Sequence, residues 1–531
     1  MKRNLSMVLA GLLVLVMASP LYAAPDIKVN GQVRTRMRYW VNIDLDNNAK
    51  QANASGLNNS DRRYFDIRTR FGVNAKLSDG VRAVIQLEKY HDFGNVSPSS
   101  VRSSTVTGGV TLATLSDTSQ DPYVRQAYMD FAVPGLQEEG WRIQAGRSFF
   151  RLGNGYLWGN SLTGEDGFTL YGPLGPGNFK ARFAQTSNQS PSQAGRQRFF
   201  DNETSHWAVD YKFDVAEKQN LEFYISGLLD KGVDRYTGTG GAATITLSGL
   251  AGAPVRHTDE YYIGAAYTGV AGPVALKFEG IYGFGNARRN VAFNTFGPCT
   301  LGAGSLNPSG AGAAACTRED NITRSAFFGY GEATYKIIPA WNVGLAFTIA
   351  SGDDNPTDDK ADGFVAPLAE WTTSPTRVWT DSQFFYGNRT SRILGNSTTN
   401  RAFNFWGRGT KDIDAAFTIG DNGTPYSPGL AEFQFKTKYT FNKQVTGLFN
   451  IIPTWAMNHP DNTGRYMGTE IDGKVAYKPY KNISINGYFG VFFPGSFFDQ
   501  GGALLTATTA AGGVAVNDTA WMFRMESIVT F

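Results

Sequence analysis

Between Arg62 and Leu77 the chain alternates with a period of two, and that alternation restricts it to long β-strands. Phe65, Ile67, Thr69, Phe71, Val73, Ala75 and Leu77 share one face, and Tyr64, Asp66, Arg68, Arg70, Gly72, Asn74 and Lys76 share the other. A helix would smear both sets around its axis, whereas a strand sends successive side chains to opposite faces. The same pattern sets Asn30, Gln32, Arg34, Arg36 and Arg38 against Val29, Val33, Met37 and Tyr39. Further along it sets Glu432, Gln434, Lys436 and Lys438 against Phe433, Phe435, Tyr439 and Phe441. Strips of about ten residues, apolar outside and polar inside, suit a membrane barrel with a wet interior. A soluble β-sandwich also alternates, but it does not crowd ionised residues onto one face of so many long strips.

The connections carry the same message. Tight turns such as Ser78-Asp79-Gly80, Ala271-Gly272-Pro273, Asn442-Lys443-Gln444 and Pro479-Tyr480-Lys481 alternate with long segments. The long segments lie near 42–60, 91–121, 187–203, 230–257, 284–322, 351–428 and 495–519. Short periplasmic turns and long extracellular loops are the asymmetry of outer-membrane barrels. The expected fold is therefore all-β, a transmembrane antiparallel β-barrel of about 18 strands. With 61 glycines and 13% aromatic residues, composition fits many short strands and turns better than a few large α/β cores.

Both ends agree. Lys2 and Arg3, the apolar run Met7 to Met17 and the small-residue end Leu21 to Ala24 form a secretory signal, with cleavage expected after Ala23. Residues 24–531 are then one barrel domain in the outer membrane of a Gram-negative-type bacterium. The last strip places Trp521, Phe523, Met525, Val529 and terminal Phe531 on one face. An apolar alternation ending in Phe resembles the signal by which the barrel-assembly machinery recognises its clients, so Phe531 is the expected assembly residue. The expected surroundings of the mature chain are outer-membrane lipid.

Several chemistries are set aside. A formal charge of +3 gives no reason to expect nucleic acid as a partner. His91, His206, His257 and His459 are scattered without ligand spacing, and no hydrolase or phosphate-loop motif occurs, so no enzyme is expected. Cys299 and Cys316 lie in one outer loop, and a disulfide between them would restrain the unfolded chain by ~3 kcal/mol. Asp353, Asp354, Asp358 and Asp359 form an acidic run that is either a solvated loop or a Ca²⁺ site, the only cofactor for which there is a candidate.

The acidic run also carries a family resemblance. Ala350 to Asn355, with Asp358, Asp359, Lys360 and Phe364, resembles the loop after a mid-barrel strand in the alginate-export family of outer-membrane porins. Gly146-Arg147 through Leu152-Gly153-Asn154-Gly155 to Trp158 is similar to that family's Gly-Arg strand end and following loop, and Phe492-Phe493-Pro494-Gly495 is similar too. The resemblance implies an eighteen-stranded barrel and, for some members, export of an anionic polysaccharide through an arginine-rich lumen.

Charge cannot face lipid, where Arg or Lys at the midplane costs ~2–4 kcal/mol, so the polar faces point inward. The candidate pore-lining residues are Arg34, Arg36, Arg38, Asp66, Arg68, Arg70, Arg82, Arg142, Lys180 and Arg182. In the first strands only Asp66, Glu88 and Asp130 oppose these bases, while later strands carry Asp210, Glu222, Glu279 and other acids. The expectation is a transverse field, with a basic wall in which Arg34, Arg36, Arg38, Arg68 and Arg70 have few acids nearby. Function is then a porin or channel passing polar or anionic solutes, or an exported anionic polymer. The alternative is a sheath around an electron-transfer or secretion partner. If the arginines do not form the constriction, the long segment 351–428 is the expected place for it.

Overall fold

The structure, a computed structural model, describes residues 26–41, 62–93, 122–188, 203–230, 256–292, 317–352, 360–364, 417–418, 425–426, 429–458, 464–497 and 519–531. The signal segment, both cysteines and the four aspartates of the acidic run lie outside them.

The chain enters as β1 (Asp26–Val41), β2 (Arg62–Lys76), β3 (Val81–Phe93), β4 (Tyr123–Ala132), β5 (Arg142–Arg151) and β6 (Gly159–Leu174). It continues as β7 (Gly177–Asn188), β8 (Glu203–Ala216), β9 (Gln219–Asp230), β10 (Arg256–Ala271) and β11 (Val274–Ala292). Then come β12 (Thr317–Ile338), β13 (Trp341–Ala350) and three two-residue strands, β14 (Lys360–Ala361), β15 (Phe417–Thr418) and β16 (Pro425–Tyr426). The wall ends with β17 (Leu430–Thr440), β18 (Val445–Trp455), β19 (Tyr466–Tyr480), β20 (Ile483–Pro494) and β21 (Ala520–Thr530). β15 pairs only with β16, and β14 lies parallel to β12 as an appendage. The other eighteen pair antiparallel in chain order, β13 with β17, and β21 returns to β1. The result is a closed eighteen-stranded antiparallel barrel with no free wall edge, as the sequence pattern predicts.

Burial follows the period of two. Phe168, Leu345 and Phe433 are 61–64% exposed on the outer face, part of an apolar belt that continues through Phe65, Phe71, Phe223, Phe278 and Phe489. Their strand neighbours Arg36, Asp66, Thr169, Glu222, Glu432 and Asn486 are buried on the inner face. An apolar outside around a polar, ionised inside is the inverse of a soluble core, and it is the arrangement of an integral outer-membrane barrel.

The strip boundaries need correction at two loops. β3 runs to Phe93, and β11 and β12 reach Ala292 and Thr317 with pairs such as Arg288↔Asn321 and Arg289↔Asp320. At 19 and 22 residues these two strands exceed the ~9–11 needed to span. Beyond the bilayer both faces are wet, so backbone pairing continues where hydrophobic alternation has stopped.

The seam is closed by backbone. Gly31 N donates to Phe531 O at 2.8 Å, and Phe531 N donates to Gly31 O at 3.1 Å. Deleting Phe531 removes both bonds and is expected to lower the folded, heat-modifiable band in outer-membrane preparations. An undiminished folded band would show that closure does not depend on the last residue.

Candidate pore lumen

All ten residues expected to line the lumen lie within the described wall, but the arginines are not short of acids. Cross-strand register sets Arg34 opposite Arg68, Arg36 between Asp66 and Glu526, and Arg38 opposite Arg524. Asp66 is fully buried among them. It accepts from Arg36 Nε at 2.9 Å and Arg38 Nη2 at 2.6 Å, with Arg34 Nη2 at 3.8 Å. Glu88 on β3 pairs with Arg70, accepts from the Tyr123 hydroxyl, and has Arg125 Nε at 3.1 Å. The expected unpaired row is therefore a braced network, because the register places each acid one strand away from two or more bases.

Pairing still leaves an excess. In the network around Asp66, Glu88 and Glu526, seven guanidinium groups (Arg34, Arg36, Arg38, Arg68, Arg70, Arg125 and Arg524) meet three carboxylates, while Arg82 and Asp130 of β3 and β4 pair separately. Arg68 donates to Gln32 Oε1 at 2.6 Å and has no carboxylate within 4 Å among the described residues. Arg524, 2% exposed, lies 3.6 Å over the Tyr488 ring, likewise with no described carboxylate within that range. These two guanidinium groups are the part of the wall whose charge is not locally cancelled.

The remaining candidates are tied into acid-centred clusters. Arg142 Nε and Arg82 Nη2 approach Asp130 at 2.6 and 3.2 Å, and the Tyr171 hydroxyl donates to it at 2.7 Å, near the short-turn end. Lys180 pairs with Asp210 at 3.3 Å. Arg182 is held by Glu165 at 3.3 Å, Ser148 Oγ at 3.0 Å and Thr169 Oγ1 at 2.9 Å, so it braces the wall. His206 is buried in the same cluster, stacked on Trp158 at 3.4 Å with 17° between planes.

Sequence reasoning missed Arg125. Strict alternation with Asp130 would aim it at lipid. The β3–β4 register shifts between Gln86 and Leu87, so residue 125 sits in a bulge and turns inward. There it donates to Gln86 Oε1 at 2.5 Å and lies 4.6 Å over the Phe149 ring.

The larger surprise is the connection from β5 to β6. Arg151 pairs with Gly159, so only residues 152–158 separate the strands, and Leu152 N closes their base on Trp158 O at 2.9 Å. Instead of projecting outward, this loop crosses the interior. Gly153 N donates to Glu222 Oε1 at 2.7 Å and Asn154 N to Glu279 Oε2 at 2.6 Å, on β9 and β11. Tyr224 OH donates to the other oxygen of Glu279 at 2.5 Å. Thr268 on β10 donates to Asn154 Oδ1 at 3.2 Å, and the Tyr156 ring meets Tyr330 of β12 at 4.6 Å. Leu152, Leu157 and Trp158, at the base of the loop, are fully buried.

Gly153 (φ +51°) and Gly155 (φ +90°) supply the left-handed backbone of the reversal, and a Cβ on Gly153 would stand 2.6 Å from Glu279 Oε1. From the long connection after β13 Phe364 also turns inward, stacking on Phe328 at 5.2 Å. The rest of 351–428 is mostly outside the described residues, and among those described the lumen is narrowed chiefly by 152–158. The acidic run and the Cys299–Cys316 pair have no described geometry, and among the described residues no group of three or more His, Cys, Asp or Glu could hold a metal.

No family model matches the chain, and no curated protein matches it. Solved structures similar to it include Pseudomonas aeruginosa OccK2 (OpdF) in complex with glucuronate, 9% identical with a TM-score of 0.48, covering 95% of this chain and 98% of that one. Acinetobacter baumannii OccAB1 is 12% identical with a TM-score of 0.47, covering 95% and 96%. The outer membrane channel DcaP of Acinetobacter baumannii is 11% identical with a TM-score of 0.40, covering 96% and 97%. Likeness at this level is no guide to the solute. The resemblance to the alginate-export family finds no support in these comparisons.

Proposed function

We propose that the chain is an outer-membrane pore for small polar solutes with a preference for anions. The observation that carries this reading is the excess of guanidinium over carboxylate groups, seven to three, in the lumen network around Asp66, Glu88 and Glu526, with Arg68 and Arg524 lacking described carboxylate partners. Charge on a wall enclosed by a low-dielectric shell concentrates counter-ions, and guanidinium groups suit carboxylates and phosphates. Across the lumen Glu222 and Glu279 are capped by backbone N–H groups of the 152–158 loop, which dampens the acidic side of the transverse field.

The same loop bears on what passes. It and Phe364 occupy interior space between β5 and β13, which favours small solutes over an exported polymer or a housed partner. Reconstitution into a planar bilayer tests this directly. The purified barrel alone is expected to give stepwise, ohmic chloride-carrying currents. A properly folded barrel that stays silent until a partner is removed or added would favour the sheath reading instead.

A further inference from the structure

A cavity of about 830 Å³ lies beneath the 152–158 loop, on the opposite arc of the barrel from the arginine wall. Its floor residues Asn178, Lys212, Asn220 and Lys277 lie within five positions of the turns that end β6, β8 and β10, so the cavity belongs to the short-turn mouth. Gly153, Asn154 and Tyr156 roof it.

The charges lining this cavity do not cancel. Four cations (Arg151, Lys180, Lys212 and Lys277) face two carboxylates (Asp210 and Glu222). Lys180 takes Asp210 at 3.3 Å, and Glu222 takes the Gly153 N–H at 2.7 Å. Arg151 donates to the Asn154 carbonyl, and no described carboxylate lies within 4 Å of Arg151, Lys212 or Lys277. Lys212 and Lys277 are three strands apart, on the order of 14 Å at the backbone, so two flexible ammonium groups reach into one space from opposite sides. Asn178 and Asn220 add amides that bond hydroxyl or oxyanion oxygens. A single carboxylate would satisfy only part of this set.

We propose that this cavity is a binding site for small polyanions, molecules with two or more carboxylate or phosphate groups, distinct from the selectivity wall. The proposal rests on the pore reading only for its role, as a waiting site on the periplasmic side. Binding itself does not require conduction. Because the loop roofs the site, polyanions reach it more readily from the short-turn side.

Calorimetry on the detergent-solubilised barrel, with citrate and pyrophosphate as probes and acetate as control, tests binding. Both polyanions, or one of them, should bind far more tightly than acetate, and the stronger probe assigns the site to polycarboxylates or phosphates. K212Q/K277Q should weaken that binding tenfold or more, while R68Q/R524Q on the other arc should leave it unchanged. In bilayers, the stronger probe should reduce chloride current at lower concentration from one side than from the other, and K212Q/K277Q should abolish the difference. Binding unaffected by K212Q/K277Q, or equal to that of acetate, overturns the site. A barrel that binds the probe but never conducts overturns the pore reading and leaves the site standing.

Discussion

A barrel in which Asn-Gly replaces residues 152–158 is expected to conduct at least about twofold more than the parent, with its anion preference retained. The change keeps the strand register, because Arg151 already pairs with Gly159 and a two-residue hairpin turn fits there. It removes the only described connection that bonds to strands β9, β10 and β11 across the interior. Glu222 and Glu279 lose their N–H donors but gain water, so the acids become solvated rather than stranded. Preference should persist because the arginine wall is on the other arc. Unchanged single-channel conductance would mean that the conducting route is limited elsewhere, with 351–428 the next segment to shorten.

The second large effect is destructive. Replacing Arg36, Arg38, Arg68 and Arg70 together by Gln strips Asp66 of its two closest partners and Glu88 of one. Leaving a buried carboxylate without its partner costs ~3–5 kcal/mol, so this variant should be recovered largely unfolded. R68Q/R524Q is the informative counterpart. Neither residue has a described carboxylate within 4 Å, so the double variant should fold like the parent and lose a substantial part of the anion preference. Folded fraction on an unheated gel separates the two, and ion selectivity then reads the second. Normal folding of the fourfold variant would show that Asp66 is solvated rather than held by its arginines.

Much of this architecture was legible because a period of two is a local property. The strips around Arg34, Arg68 and Phe433 place their inward and outward residues correctly, and the strand count follows from the alternation of turns. What was not legible depends on register. Arg36 and Asp66 are 30 residues apart, and only the strand pairing brings Nε to carboxylate. Arg125 was lost because one bulge inverts the alternation around it. The inward path of the 152–158 loop was hidden, because it depends on partners on β9 to β12 far away in sequence. The resemblance reads Leu152 to Trp158 as a loop after a strand end, but nothing local says that it folds inward, where the apolar surface of Leu152, Tyr156, Leu157 and Trp158 seats it inside the barrel. The two closely spaced glycines, Gly153 and Gly155, were the available signal of a tight reversal there. The signal segment, the disulfide and the acidic run fall on residues outside those described and stand as expectations.

Anion preference depends on the sign of the field in the lumen, and the zero-current potential under a tenfold KCl gradient measures that sign. At about 10 mM salt the screening length is roughly 30 Å and the arginine wall acts across the lumen, whereas at 1 M it falls to roughly 3 Å. The predicted result is a potential of the anion-selective sign at low salt that shrinks towards zero at molar salt. A cation-selective potential at low salt, or none at all, would contradict the account.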